Sequence, residues 1–515
     1  MASPFLWITV VGGILSFLTG CGVGMNDLAN SFGTTYGSRV LKLWQIVILA
    51  SICEFVGAIA LGSEVTSTIS NGIADPKTFK DEPYILMYGM MCALAAAFTW
   101  LFVATVVSLP VSSTHSIAGA IIGFALVYGG AGAVSFAKKK DSFPFISGVA
   151  PIVASWFISP LFSGAVSSLL YGTLRFFVLR PSNAAQRAIW SLPVIVGVTF
   201  FLETFFVLYK GAKARLKWPA TKALWVAALV GIGAGVLSVA IIPLLKRRVR
   251  QMEERELSAA EAAPGTGQDA SGSTAGAPAS EVELQGVMSG PIDAANSIVP
   301  QSKEPAGSAA VAALGGGPNA SVLSLSGVGD ELKVRDVQLY DFRVEYVFRY
   351  LQVFTAICAS FAHGANDVSN AIAPFAAIYS VYVNQEVLEK NETPLWILCL
   401  GGAGLVIGLA TLGIRIMRLL GERIAKITPS RGFSAELSAA LVVSLCSAFG
   451  IPVSSTHCIT GAVVAIGIMD CGWRSVRWLM IGKMYCGWIA TLGITGSISA
   501  LIFAQGIYAP NLAAS

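Results

Sequence analysis

Charge is what this sequence has least of. Only 12% of its 515 residues are Asp, Glu, Lys or Arg, against about 25% in ordinary soluble domains, and 55% are hydrophobic. Apolar runs near 20 residues with almost no charge recur along the chain, the length a helix needs to cross roughly 30 Å of hydrocarbon. A soluble domain is excluded, and an all-α polytopic membrane protein is expected, with the lipid bilayer as partner and no nucleic acid. The nine cysteines stand without a CxxC pair, which argues against a disulfide framework or a zinc site. MASPFLWITVVGG, at the start, has no basic residue, so the first apolar run reads as a span and not as a cleavable signal. Histidine is scarcest of all, with three in the chain, and each lies in a duplicated stretch.

Apolar segments are expected at about 5–25, 43–63, 85–108, 111–129, 146–172, 188–209 and 221–245, then at about 346–382, 395–414, 435–450, 453–470 and 484–507, about 12 in all. Between the two groups, residues 251–340 are rich in Ala, Gly, Ser and Pro, with 12 acidic and 4 basic residues. Such a stretch buries too little apolar surface to offset its chain entropy and is expected to be a disordered linker. The organisation expected is thus a membrane half over 1–250, the linker over 251–340 and a second membrane half over 341–515. Lys and Arg crowd the loops on the linker's side of the second half, and KRRVR at 246–250 abuts the linker. This places the linker in the cytoplasm and both termini outside. No address motif selects a membrane; the plasma membrane is the expected location.

LPVSSTHSIAGA at 109–120 returns as IPVSSTHCITGA at 451–462, and GMNDLANSF at 24–32 returns as GANDVSNAI at 364–372. Two motifs repeated in one order at similar spacing indicate an internal duplication. An odd number of crossings separates the copies, so the second enters the membrane inverted, a design with substrate at the repeat interface. In each hydroxyl motif, Pro110 or Pro452 is expected to open a half-helix after a break or re-entrant turn. Free N–H groups and the positive end of the helix dipole would face the break, an anion site. Ser112, Ser113, Thr114, Ser454, Ser455 and Thr456 would add hydroxyl donors without fixed charge, which suits an oxyanion that must also leave.

In NDxxN, a helix brings Asn26, Asp27 and Asn30, and likewise Asn366, Asp367 and Asn370, to one face as a carboxylate with two amides. Such oxygen ligands suit a hard cation. Gly22, Gly24, Gly33 and Gly364, with Pro374, are expected to let these helices unwind and expose carbonyl ligands. A carboxylate in mid-bilayer costs roughly 3 kcal/mol or more, so Glu54, inside the second segment, is expected to couple or gate. Glu436 reads equally as that or as an interfacial carboxylate. Glu203 is expected to make a structural hydrogen bond, and His115 and His457 to hydrogen-bond their hairpins. His363 is expected to be structural to the same degree.

These motifs resemble the inorganic phosphate transporter (PiT) family of sodium–phosphate symporters, whose signature is similar to GANDVANA in each half followed by PVS(S/T)TH. The second half carries GANDVSNA and the first the looser GMNDLANS, with Asn26, Asp27 and Asn30 intact. The resemblance implies an all-α fold of two inverted repeats with broken helices, dimeric assembly, and cotransport of phosphate with sodium as co-substrate and no cofactor. It implies phosphate between the two hairpins and cations at the asparagine–aspartate motifs. It also implies transport roles for Glu54 and Glu436. The residues alone leave three alternatives open. One is proton coupling, another an uncoupled anion channel or exporter. The third is a Ser-His hydrolase, which lacks any Gly-x-Ser-x-Gly elbow.

Overall fold

The computed structural model describes residues 5–139, 141, 145–211, 218–262, 340–388, 393–417 and 427–509. Helices account for nearly all of them: α1 (Leu6–Gly37), α2 (Leu43–Leu61), α3 (Ser63–Gly72), α4 (Pro83–Val106), α5 (Ser113–Gly129), α6 (Val149–Leu174) and α7 (Ala184–Phe206). There follow α8 (Ala220–Val239), α9 (Ile242–Ala262), α10 (Phe342–Asn384), α11 (Leu395–Thr411), α12 (Pro429–Ala448), α13 (Ser455–Cys471) and α14 (Trp478–Tyr508). A two-residue antiparallel ribbon, Lys138–Lys139 with Ile146–Ser147, is a minor exception. Every expected apolar segment coincides with a helix. The polar α3, which continues α2 beyond a bend at Gly62, was not expected. Helix α9 runs to Ala262, into the stretch read as a linker; the rest of that stretch, 263–339, lies outside the described residues.

Among the described residues, 8 helices are long and apolar enough to cross a membrane, and α11 and most of α13 are shorter apolar helices. Their outer faces expose Leu479 at 76%, Leu161 at 74% and Trp225 at 71%. In water such surfaces would drive aggregation; in hydrocarbon they are solvated. The chain is a multi-pass integral membrane protein. At 43 residues, α10 is about 64 Å long, more than the roughly 45 Å of a whole bilayer.

Met1–Glu254 and Val334–Ser515 form one compact unit, so both membrane halves share it; Arg255–Lys333 is a separate unit. Within the first unit the apolar core divides in two. One cluster gathers α4, α5, the first part of α1 (Ile8, Val23) and the last part of α10 (Val368 to Val381). The other gathers α12, α13, the later part of α1 (Leu28, Phe32) and the first part of α10 (Val344 to Ala362). Both long helices therefore change clusters where their NDxxN motifs lie, at Asp27 and just before Asp367. Polar residues at that seam separate two dry layers, and each hydroxyl motif belongs to one of them.

Candidate functional site

Asn26, Asp27 and Asn30 in α1, and Asn366, Asp367 and Asn370 in α10, are all buried, Asp27 to 1% and Asp367 to 0% exposure. The glycines do not unwind these helices as expected; α1 and α10 run unbroken. They serve close approach instead. A Cβ on Gly24 would stand 2.1 Å from Leu405 O of α11, and one on Gly364 would stand 2.2 Å from Glu54 O of α2. Glycine lets neighbouring backbones press each aspartate's helix into place.

The hydroxyl motifs do sit at breaks. After α4, Ser108 turns at φ +57°, Leu109 N donates to Ala104 O at 2.8 Å, and α5 starts at Ser113. After α12, Gly450 turns at φ +65°, Ile451 N donates to Cys446 O at 3.0 Å, and α13 starts at Ser455. Pro110 and Pro452 lie two residues before the caps and not in the first helical turn. The N-caps are Ser112 and Ser454. Ser112 Oγ accepts from His115 N at 3.3 Å, so a serine cap, and not proline's missing N–H, sets the start. Ser113, Thr114, Ser455 and Thr456 thus occupy the opening residues of two helices, where backbone donors lack intrahelical acceptors.

The first asparagine of each motif fastens the break of its own half. Asn26 Nδ2 donates to Leu109 O and Thr105 Oγ1, both at 3.1 Å, and its Oδ1 accepts from Val111 N at 3.0 Å. Asn366 Nδ2 donates to Val453 O at 2.9 Å, and its Oδ1 accepts from Ser447 Oγ at 3.1 Å. The last asparagine crosses to the other half. Asn30 Nδ2 reaches Ser455 Oγ at 3.0 Å and Thr456 Oγ1 at 2.9 Å, while Asn370 Nδ2 reaches Ser113 Oγ at 3.0 Å and Thr114 Oγ1 at 3.2 Å. Each also donates to its own aspartate, Asn30 to Asp27 at 3.1 Å and Asn370 to Asp367 at 2.9 Å. Both carboxylates accept from the second hydroxyl motif, Asp367 from Ser455 at 2.8 Å and Asp27 from Thr456 at 3.4 Å.

The hairpins also touch directly. Thr114 Oγ1 donates to Val453 O at 3.4 Å, and the rings of His115 and His457 are 4.9 Å apart between Trp156 and Trp488. Among the described residues neither imidazole hydrogen-bonds its own hairpin, contrary to expectation. The rings pack on each other, and His115 Nδ1 lies 3.3 Å from Trp488 O.

Both expected glutamates are fully buried, in different surroundings. Glu54 faces His363, which also faces Asp367, so this histidine joins the site. Its place directly before GAND was the available sequence signal. Glu436 lies inside α12, closed off from the protein surface. It accepts from Thr35 Oγ1 at 2.6 Å, from Thr355 Oγ1 at 2.8 Å, from Gln352 Nε2 at 3.4 Å and from the Thr34 hydroxyl. These four partners carry no motif and were missed. Glu203 Oε1 makes no hydrogen bond among the described residues, so the one expected for it is not found there.

Chemically, Asp27, His363 and Asp367 can offer ligand atoms within 4.8 Å of one another. Two carboxylates this close, out of water, repel strongly unless a cation joins them. Asp27 Oδ2 and Asn30 Oδ1 accept no hydrogen bond among the described residues, leaving lone pairs for such an ion. Beside them, two helix starts lined with hydroxyls can receive an anion. Among the described residues, no Ser and His form a nucleophile–base–carboxylate line.

Comparison with known proteins identifies the family. A family model described as the phosphate transporter family matches residues 23–499. The chain is 32% identical to the phosphate-repressible phosphate permease pho-4 of Neurospora crassa, covering 98% of each chain. It is 28% identical to sodium-dependent phosphate transporter 1 of Mus musculus, over 97% of this chain and 95% of that one. A solved structure described as the sodium-dependent phosphate transporter superposes with a TM-score of 0.71 at 27% identity, covering 96% of this chain and 98% of that chain. A match over almost the whole membrane unit, taken with its buried carboxylate–hydroxyl seam, makes this chain a member of the phosphate transporter family, a carrier of phosphate and not an enzyme.

Proposed function

We propose that the protein is a secondary active symporter that moves inorganic phosphate with cations, sodium foremost, by alternating access. One observation carries this reading: Asn30 and Asn370 each tie their own aspartate to the hydroxyls of the opposite hairpin. Cation and anion sites so joined cannot fill independently. A cation held by Asp27, Asp367 and the oxygens of Asn26, Asn30, Asn366 and Asn370 cancels the repulsion a phosphate would meet. Phosphate would then accept from Ser112, Ser113, Thr114, Ser454, Ser455 and Thr456 and the adjacent N–H groups. Glu54 and Glu436, each tied to a long helix, would couple occupancy to movement. The relatives named sodium-dependent favour sodium over protons.

The proposed architecture is two inverted repeats of about 12 segments with re-entrant hairpins. In it the termini lie outside and the 251–340 segment lies in the cytoplasm of a plasma-membrane protein that assembles as a homodimer. The repeated bonding of Asn26 and Asn366 supports the inverted pair. The test is radiolabelled phosphate uptake by purified protein in liposomes. Accumulation driven by an imposed sodium gradient supports the proposal. A proton gradient succeeding where sodium fails would assign proton coupling, and mere equilibration would assign a channel.

A further inference from the structure

The start of α9 carries cations that the transport site does not use. Helix α8, an apolar span, ends at Val239, so the first turns of α9 lie where the chain leaves the bilayer. Ile242, Leu245 and Val249 are buried at helical spacing against a core that includes Ala188, Ile189 and Val347. Around that seated stripe, Lys246, Arg247, Arg248 and Arg250 are exposed, and none forms an ion pair among the described residues. Lys246 Nζ stands 4.3 Å from the ring centroid of Trp190, itself 58% exposed on α7. Arg248 and Arg349 both lie near enough to Tyr346, at the start of α10, to act on its phenol electrostatically. Exposed Ile241 and Leu244 flank the cations.

The order of charges is informative. A helix is stabilised by acidic residues in its first turns and basic ones in its last. In α9 the sequence does the reverse, placing its cations first and Glu253 and Glu254 after them. Glu253 Oε1 is taken by Arg343 Nη1 at 2.8 Å, which leaves the four cations to face outward. Neither helix stability nor internal pairing accounts for them, and the topological bias that keeps Lys and Arg on one side of the membrane needs no particular face of the helix. Their clustering beside Trp190 around one seated stripe is what a ligand at the membrane surface would use.

We propose that this face of α9, with Trp190 and Arg349, binds phosphorylated anionic lipid headgroups of the adjoining leaflet. Guanidinium forks match phosphate oxygens in pairs. Trp190 supplies an interfacial anchor, and Ile241 and Leu244 meet the glycerol and upper acyl region. A basic cluster directly after a spanning helix has the arrangement that recruits such lipids. This site holds a lipid, not the transported ion, and its test does not depend on symport.

Purified full-length protein in detergent micelles would be titrated with a fluorescent phosphatidylinositol bisphosphate, and with phosphatidylcholine bearing the same label. Binding of the first and not the second is expected. Combined Lys246→Gln, Arg247→Gln, Arg248→Gln and Arg250→Gln should weaken it roughly fivefold per cation removed. The charge-preserving set Arg247→Lys, Arg248→Lys and Arg250→Lys should bind more tightly than the glutamine set and less tightly than wild type, because charge stays while the guanidinium forks are lost. Unchanged uptake in phosphatidylcholine liposomes would show the glutamine variant to be folded. Equal binding by wild type and glutamine variant overturns the proposal, as does wild type that ignores the lipid. Displacement by millimolar inorganic phosphate alone also overturns it, by reducing the face to a site for free anions.

Discussion

The imidazole of His363 lies between carboxylates from two helices, its Nδ1 3.1 Å from Glu54 Oε1 and its Nε2 2.9 Å from Asp367 Oδ2. Glu54 of α2 thus reaches the second NDxxN motif through one ring. If the ring transmits its influence, Glu54→Gln and His363→Gln should each raise the sodium concentration giving half-maximal phosphate uptake, by roughly tenfold for a lost buried charge contact of about 1.4 kcal/mol. The double variant should be no worse than the worse single. A sodium titration of uptake in liposomes checks this, and additive effects would remove His363 from the path.

The two aspartates should be mutually dependent. Asp27→Asn keeps the shape of the side chain and removes its charge, as does Asp367→Asn. In the proposed site either change leaves one carboxylate to hold the cations that make phosphate tolerable. Sodium activation and phosphate uptake should therefore fall together, and tenfold or more for each is expected from about 1.4 kcal/mol or above. Normal sodium-dependent uptake in either variant would refute the assignment.

A similar argument applies to the crossing asparagines. Asn30→Ala removes two bonds to the second hairpin and one to Asp27, and Asn370→Ala removes the matching three. Buried hydroxyls and carboxylates left without partners cost about 1–3 kcal/mol. Both variants should raise the KM for phosphate and the half-saturating sodium concentration in parallel. Loss of sodium dependence with unchanged phosphate KM would show the two sites to be separate.

What the sequence made legible follows from repetition. NDxxN and PVSSTH are each written twice, so Asp27, Asp367 and the six hydroxyls could be selected before any coordinates, as could the apolar segments that became helices. Partner choice could not. Nothing in the spacing says that Asn26 fastens its own hairpin while Asn30, one turn later, bonds the other; that depends on how the halves interleave. The threonines around Glu436 come from α1 and α10 and meet only after packing. The glycines show the limit most clearly, because an unwound helix and a close-packed one both need residues without a Cβ. The structure shows close packing at Gly24 and Gly364.

Substitution of a glycine at such a contact should be severe where the neighbour is backbone. At Gly364 an added methyl would fall 2.2 Å from Glu54 O and 2.6 Å from Glu54 Cα, so α2 and α10 must part. Gly364→Ala should lower the thermal midpoint of the purified protein by several degrees and nearly abolish uptake. Gly233 on α8 meets nothing within 4 Å, and Gly233→Ala should change neither. Equal stability of the two variants, measured by thermal unfolding in detergent, would disprove the contact.

The two breaks offer a test of opposite sign. Ser108 and Gly450 fill the same place in their turns, at φ +57° and +65°. Only glycine adopts that conformation without cost, and a side chain there is strained by about 1 kcal/mol. At the second break, a Cβ on residue 450 would also stand 3.0 Å from Thr68 Oγ1. Gly450→Ala should therefore destabilise by about 1–2 kcal/mol. Ser108→Gly should stabilise by less, because glycine gives back part of the gain as unfolded-chain entropy. Denaturation midpoints in one detergent measure both. If the hairpins must flex during transport, Ser108→Gly should leave sodium affinity unchanged while altering the maximal rate, because it lies outside the carboxylate–hydroxyl cluster. A rise in stability on Gly450→Ala would mean that the second turn is not left-handed, and the shared geometry of the two breaks would fail with it.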